Sequence, residues 1–400
     1  ARVDVHSALA STALRQRAPE LAGLAGFDAQ RPLSADAHHR VRALARELLG
    51  TSQRDAARRA ALDSFAALGV VAVHECAGPD IGGRDDWREL RAVSHGVDVV
   101  GYWGEAVATA EDARALIDAT GARGLAGDLF VDGALGSRTA WLSRPYSDGA
   151  DTCGNCYLPA EAIEAHVQAC TEAGVTAGFH VIGDRAVTAV VHAFERVVER
   201  HGAVAVARCG HRLEHLEMIS AEQAAKLGAW GVIASVQPNF DALWGGADGM
   251  YAQRLGPQRA EKLNPFALLA SQGVPLAFGS DAPVTSNNPW LTVAAGTTHQ
   301  TAGSAVSARS AFSAATRGAW RAAGVRDGST GTLVPGAMAS YVLWDIDDLE
   351  VAAPDDAVAR WSTDPRSRVP ALPRLAPGEP LPRCRQTVHR GAVIHGDHHG

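Results

Sequence analysis

The chain has 400 residues, with Lys+Arg 37 against Asp+Glu 44 for a formal net charge of −7, and 46% hydrophobic residues. That acidic balance, without a basic tract, excludes the electrostatic signature of a nucleic-acid binder or of a protein that adheres to an anionic membrane, and the apolar share suffices for a sizeable core. Only Lys226 and Lys262 are lysines, so Schiff-base, phosphate-loop and carbamylated-lysine chemistry is confined to two positions.

In chain order, residues 1–6 carry neither a signal-peptide pattern nor an initiator Met; the cytoplasm is the default compartment, and the reading frame is expected to begin upstream. No run of about 18 apolar residues marks a transmembrane helix. From residue 69 onward, short β-branched apolar runs alternate with alanine-rich amphipathic stretches, the βα pattern of a parallel sheet. The runs at 69–74, 97–102, 125–131, 174–180, 210–215, 231–236 and 274–281 read as seven strands. Helices are expected between them at 109–119, 159–173, 186–200 and 220–227, the last opened by Ser220-Ala-Glu-Gln223, whose hydroxyl and amide stand three apart as in a capping box. Seven such units fit either a doubly wound sheet or a (β/α)8 barrel short of one unit. Cys153-Gly-Asn-Cys156 has metal-like spacing but lies in a Gly/Asp-rich loop without a second pair, and six cysteines in all are too sparse for a disulfide scaffold. Beyond about residue 330 the runs at 331–336, 341–345 and 387–394 read as strands of a small β appendage, separated by a Pro/Arg-rich stretch at 364–382.

Polar residues cluster at the carboxyl ends of the expected strands, where parallel α/β folds build their sites. His74 and Glu75 close the first run, Asp128 lies in the third and Asp132 just after it, and His180, His215, Gln237 and Asp281 end the last four. Two neutral imidazoles and a carboxylate converging on one rim suit Zn²⁺ or a related divalent ion. Taken singly, a strand-end histidine is more often a hydrogen-bonded structural residue than a ligand; three strand ends in order giving His, His and Asp bring the two readings level. Trp103, Trp141, Trp244 and Trp290 fall in or beside strand-end loops, and either pocket lining or ordinary packing accounts for them.

The local motifs are more specific. Phe179-His180-Val-Ile-Gly-Asp-Arg185, Arg212-Leu-Glu-His215, Gly279-Ser-Asp281-Ala-Pro283 and Asp132-Gly-Ala-Leu-Gly-Ser-Arg-Thr139 resemble the amidohydrolase superfamily, in particular its family-3 branch of YtcJ-like proteins and formamide or N-acyl-amide hydrolases. Gly331-Thr-Leu-Val-Pro-Gly-Ala-Met-Ala339 is similar to the turn entering that family's C-terminal β-sandwich, and Asp4-Val-His-Ser-Ala-Leu-Ala10 is similar to its D-G-H-x-A segment. The resemblance implies a TIM-type barrel over residues 1–328 and the C-terminal part of a β-sandwich over 329–400. It implies metal ligation by His180 and His215, with Asp281 as ligand or as the group that activates water and then protonates the leaving group. Asp132 and Arg138 match positions of loop structure or substrate contact, and Asp184 with Arg185 reads as an ion pair opening a helix.

Two departures from the family pattern stand out. Its strand-one H-x-H pair has no counterpart before His180, and the alignment starts Ala1 downstream of that strand, so the missing unit is expected upstream. Asp128 stands where many relatives carry a bridging lysine; the resemblance makes it a candidate ligand of a one-metal site, since an aspartate bridges less readily, and favours one divalent ion, zinc by donor type, over two. The expected activity is hydrolysis of a C–N bond in a small-molecule substrate, with homodimerisation compatible with the family. The alternatives are a deaminase or cyclic-amide hydrolase of the same superfamily, or an impaired binding or scaffold protein lacking the H-x-H pair.

Overall fold

The computed structural model describes residues 2–3, 5–350 and 371–396. A short antiparallel pair opens the chain, β1 (Ser7–Ala8) against β2 (Leu33–Ser34), followed by helices Ala35–Glu47 and Thr51–Ala67. Seven strands then form one parallel sheet in strict chain order: β3 (Ala72–Ala77), β4 (Asp98–Trp103), β5 (Gly124–Leu125), β6 (Thr176–Val181), β7 (Arg212–His215), β8 (Ile233–Val236) and β9 (Leu276–Phe278). A doubly wound sheet must reverse its strand order at a switch point; none occurs here, and the sheet curls as an incomplete barrel.

Burial follows position in that sheet. β6, β7 and β8 are buried at every residue, whereas β3 is half-buried from Ala72 to Cys76 because it lies at one edge. Outside β6 and β7 runs helix Asp184–His201, whose Val187, Val190, Val191, Phe194 and Val197 recur at helical spacing and join the main core with Phe179 and Val181. At about 1.5–3 kcal/mol per fully buried aliphatic or aromatic side chain, this stripe fixes the helix against the two strands that matter most for the site. Helix Ala221–Trp230 carries the expected capping box: Ser220 Oγ accepts from Gln223 N at 3.3 Å and Gln223 Oε1 from Ser220 N at 2.9 Å.

The expected strand at 125–131 is instead broken. After Leu125 the backbone turns at Gly127 (φ 78°), where a Cβ would stand 2.9 Å from Cys76 Cβ, and the chain rejoins β6 through a Phe130–His180 bridge. The kink sets Asp128 between the two pairings. Residues 331–336 form turns rather than the expected strand. The appendage is a three-stranded antiparallel sheet of β10 (Tyr341–Asp345), β13 (Arg383–His389) and β14 (Ala392–His395), plus the two-residue pair β11 (Leu349–Glu350) and β12 (Leu372–Pro373). It packs on helix Thr51–Ala67, with Thr387 Oγ1 donating to the Ala66 carbonyl at 2.7 Å. Ala1, Asp4 and residues 364–370 of the Pro/Arg-rich stretch lie outside the described residues. Among the described residues no helix is long and apolar enough to cross a membrane.

Candidate metal centre

Parallel pairing of β6 with β7 sets Val181 opposite His215 and His180 opposite Glu214, so the two histidines emerge from adjacent strands with ring centroids 4.5 Å apart. Asp128 joins them: one donor atom from each of Asp128, His180 and His215 lies within 4.8 Å of the others. Asp281, three residues beyond β9, bounds the same cavity of about 30 Å³, together with His6, His39, Arg42 and Phe130. His39, Asp128 and Phe130 also line an adjoining open groove of about 840 Å³.

Backbone geometry aims these side chains. His215 (φ 70°) and Asp281 (φ 52°) both adopt the left-handed region, which costs a non-glycine residue of order 1–3 kcal/mol. At His215 this ends the strand alternation that sends Arg212 and Glu214 to one common face. Those two form a buried bidentate pair (2.6 and 3.0 Å) that also takes in His74 Nδ1 at 2.9 Å and Ser235 Oγ at 2.8 Å.

Hydrogen bonds fix both imidazoles. His180 Nε2 donates to the Gly133 carbonyl at 3.2 Å, and His215 Nδ1 donates to Gln237 Oε1 at 2.8 Å. The remaining nitrogens, Nδ1 of His180 and Nε2 of His215, are thereby left as lone-pair donors. Burial holds the pKa of His180 well below the usual histidine value, with His215 and His6 adding to the effect, and burial lowers His215 too. Asp128 is pushed up to about 7 by burial and by Glu214, against the pull of Arg42. Asp281 keeps an exposed face, but the surrounding protein and then Asp128, Glu214 and Glu217 raise it well above the usual carboxylate range. Neutral imidazoles beside mutually repelling carboxylates are a donor set that a divalent cation fits, because its charge offsets the repulsion and its coordination uses the free lone pairs.

The other residues singled out from sequence lie apart from this cluster. Asp132 is fully buried, and its carboxylate accepts from the backbone N–H groups of Trp141 (2.8 Å), Ile182 (3.0 Å) and Gly183 (2.8 Å), pinning the 132–141 loop to the end of β6. Burial pushes its pKa up to about 8 against those three donors. Arg138 makes a bidentate pair with Asp148 at 2.9 and 2.8 Å, and Arg254 also pairs with Asp148. Asp184 does open a helix, but its carboxylate accepts from Ser143 while the Arg185 guanidinium lies over the Trp141 ring, 4.8 Å from its centroid. Trp103 and Trp290 are core residues, and Trp244 packs on Phe240, itself stacked on His215.

Two histidines at the cavity were not assigned a role from sequence. His6 has its ring centroid 5.0 Å from that of His180. Its signal was the Asp4-Val-His6 motif, read only as a likeness. His39 has an Nδ1 without a hydrogen-bond partner among the described residues, and nothing in its adjacency to His38 distinguishes it from a surface helix residue.

An in-order parallel barrel sheet with two histidines and a carboxylate at its carboxyl rim defines the α/β-barrel class of metal-site proteins. Residues 1–395 match the amidohydrolase family Amidohydro_3, and the chain belongs to that family. Among curated relatives it is 31% identical over 166 residues to Bacillus subtilis (strain 168) YtcJ, whose name assigns it to the amidohydrolases, and 32% identical over 161 residues to the Arabidopsis thaliana protein LONG AFTER FAR-RED 3. Those matches cover 41% and 40% of this chain but only 29% and 27% of the relatives, so the matched segment spans less than a third of their length. Uncharacterized metal-dependent hydrolases from Pyrococcus furiosus and Pyrococcus horikoshii share the fold. Their TM-scores are 0.62 and 0.63 at 23% and 24% identity, with 84% of this chain covered in each case and 69% and 68% of theirs.

Proposed function

We propose that the protein is a metal-dependent hydrolase that cleaves an amide-type C–N bond in a small-molecule substrate, with one zinc ion as cofactor. The observation that carries this reading is the convergence of Asp128, His180 and His215 within 4.8 Å, with Asp281 on the same cavity. His180, His215 and Asp128 would hold the ion, which supplies Lewis acidity toward the carbonyl and acidifies water. Asp281 takes a proton from the attacking water, whose oxygen bonds to the carbonyl carbon. As the C–N bond breaks, Asp281 returns that proton to the leaving nitrogen, so that water and amide become carboxylic acid and amine. A carboxyl group whose pKa burial and neighbouring carboxylates raise above the usual range holds a proton more readily than an ordinary aspartate, as a proton shuttle must. Residues 1–328 form the catalytic unit in this reading and 329–400 the appended β domain.

The test is metal analysis of the purified protein alongside His180→Ala and His215→Ala. Near-stoichiometric zinc in the parent and its loss in both variants is expected, together with loss of hydrolysis across a panel of N-acyl amides. Unchanged metal content in both variants overturns the assignment.

A further inference from the structure

Residues 6–47 stand over the metal centre without sharing its core. Their apolar contacts close on themselves, with Ala8, Leu21, Leu33, Val41 and Leu44 forming a separate cluster. What this unit turns toward the barrel is polar or aromatic. His6 lies against Phe130 and His180, with ring centroids 5.5 and 5.0 Å away, and His39 lies against Phe130 at 6.0 Å. The Ser7 and Ser137 hydroxyls stand 3.1 Å apart. Arg42 faces Asp128 on the wall of the inner cavity and attracts it. The exposed Leu48 and Leu49, with Gly50 in extended backbone, join the unit to helix Thr51–Ala67. A unit with its own core, a polar underside and a short exposed joint is built to swing as one body.

The inner cavity, at about 30 Å³, has room for about one or two waters and not for an amide beside them. Solvent reaches Asp281 beyond β9, but His180 and His215 are only 2% and 5% exposed. His6, His39 and Arg42 wall the cavity from the unit above it, and His39 and Phe130 also border the groove of about 840 Å³. We propose that residues 6–47 are a hinged cover, latched by Arg42 opposite Asp128, which swings about residues 48–50 to join the groove to the cavity and admit the substrate. The conformation described is the closed one, with His6 and Arg42 against the cluster. The inference rests on the hydrolase reading for what enters, while the movement itself is tested without turnover.

The experiment locks the cover through Ser7 and Ser137, whose side chains stand close enough for a disulfide. The full-chain double variant Ser7→Cys/Ser137→Cys, its cross-link confirmed by peptide mass against the parent and both single variants, is compared oxidised and reduced. Access is read as the rate at which diethyl pyrocarbonate modifies His180 and His215 with EDTA present, so that no bound ion shields them. The reduced form is expected to match the parent and the oxidised form to react at least about tenfold more slowly, since modification follows the open population. Equal rates in the two forms overturn the proposal, because the reagent would then reach the histidines past a fixed cover. Arg42→Gln, checked for folding by thermal melting, is expected to speed modification several-fold by removing the attraction to Asp128. An unchanged rate in that folded variant overturns the proposal even where the cross-link does not form. A cover that gates modification in a protein that cleaves no amide refutes the hydrolase reading alone, and amide hydrolysis at the parent rate in the oxidised form refutes this inference alone.

Discussion

Gln237 touches no substrate-facing cavity, yet its removal is expected to weaken the metal centre. Its Oε1 accepts the Nδ1 proton of His215 at 2.8 Å, its Nε2 donates to the Ser235 carbonyl at 3.3 Å, and the side chain is 5% exposed. In Gln237→Met the apolar chain fills the volume but accepts nothing, leaving the His215 N–H buried and unpaired. The cost is about 1–3 kcal/mol for the orphaned donor. Ring rotation or the opposite tautomer relieves that cost only by withdrawing the Nε2 lone pair from the cluster. Loss of such an outer hydrogen bond lowers metal affinity by about 10- to 100-fold, equivalent to about 1.4–2.8 kcal/mol. Competition for zinc against a chromophoric chelator at pH 7.5 measures this directly. Gln237→Glu, which keeps an acceptor and adds charge, is expected to bind zinc as tightly as the parent or more so. Equal zinc affinity in Gln237→Met and the parent, with both folded, would refute the claim that this hydrogen bond orients the ligand.

The remaining predictions concern stability. Asp132→Ala removes the acceptor of three buried N–H groups and is expected to cost about 3–5 kcal/mol in denaturant unfolding; a change confined to substrate KM would show instead that Asp132 acts on substrate. His166 and His211 are buried with pKa values lowered to about 4 and about 3, mainly by burial, and each accepts a backbone N–H through Nδ1, from Val107 at 3.2 Å and Ala177 at 2.9 Å. Because both lie below the ordinary histidine value, the folded protein binds fewer protons than the unfolded chain between about pH 6.5 and pH 3–4. Their stabilisation is therefore complete above pH 6.5 and is lost as the pH falls through that window, at about 1.4 kcal/mol per unit for each. His211→Gln is expected to flatten the measured pH–stability slope by about that amount, and an unchanged slope would refute the linkage.

The parallel sheet was legible because β6 and β8 are buried on both faces, and a strand in that position spells itself as a continuous apolar run. The ends of the sheet were less so. β5 shrinks to Gly124–Leu125 because its continuation is bent at Gly127, and a run such as Leu-Phe-Val at 129–131 looks the same in sequence whether it pairs as a straight strand or rejoins after a kink. His180, His215 and Asp281 could be named because strand ends sit at known places in the pattern. Arg42 and His39 could not, since they reach the cavity from a helix outside the sheet, and their spacing on that helix reads as ordinary surface. Asp132 was legible as a motif residue, while its role as a three-donor acceptor depends on a 50-residue separation from Ile182 that no local pattern encodes.

The cluster divides into two mechanical halves. His180 and His215 belong to β6 and β7, held by ladder hydrogen bonds and a helix packed behind them, whereas Asp128 and Asp281 sit on turns beyond β5 and β9. A cation seated there would have its position dictated by the sheet and its charge balance by the turns. Of the three groups that would hold it, Asp128 alone is not fixed by strand pairing. Nitrogen ligation and strand pairing would be lost in a single event, and a spectroscopic ion such as Co²⁺ would report the integrity of the barrel as faithfully as it reports the site.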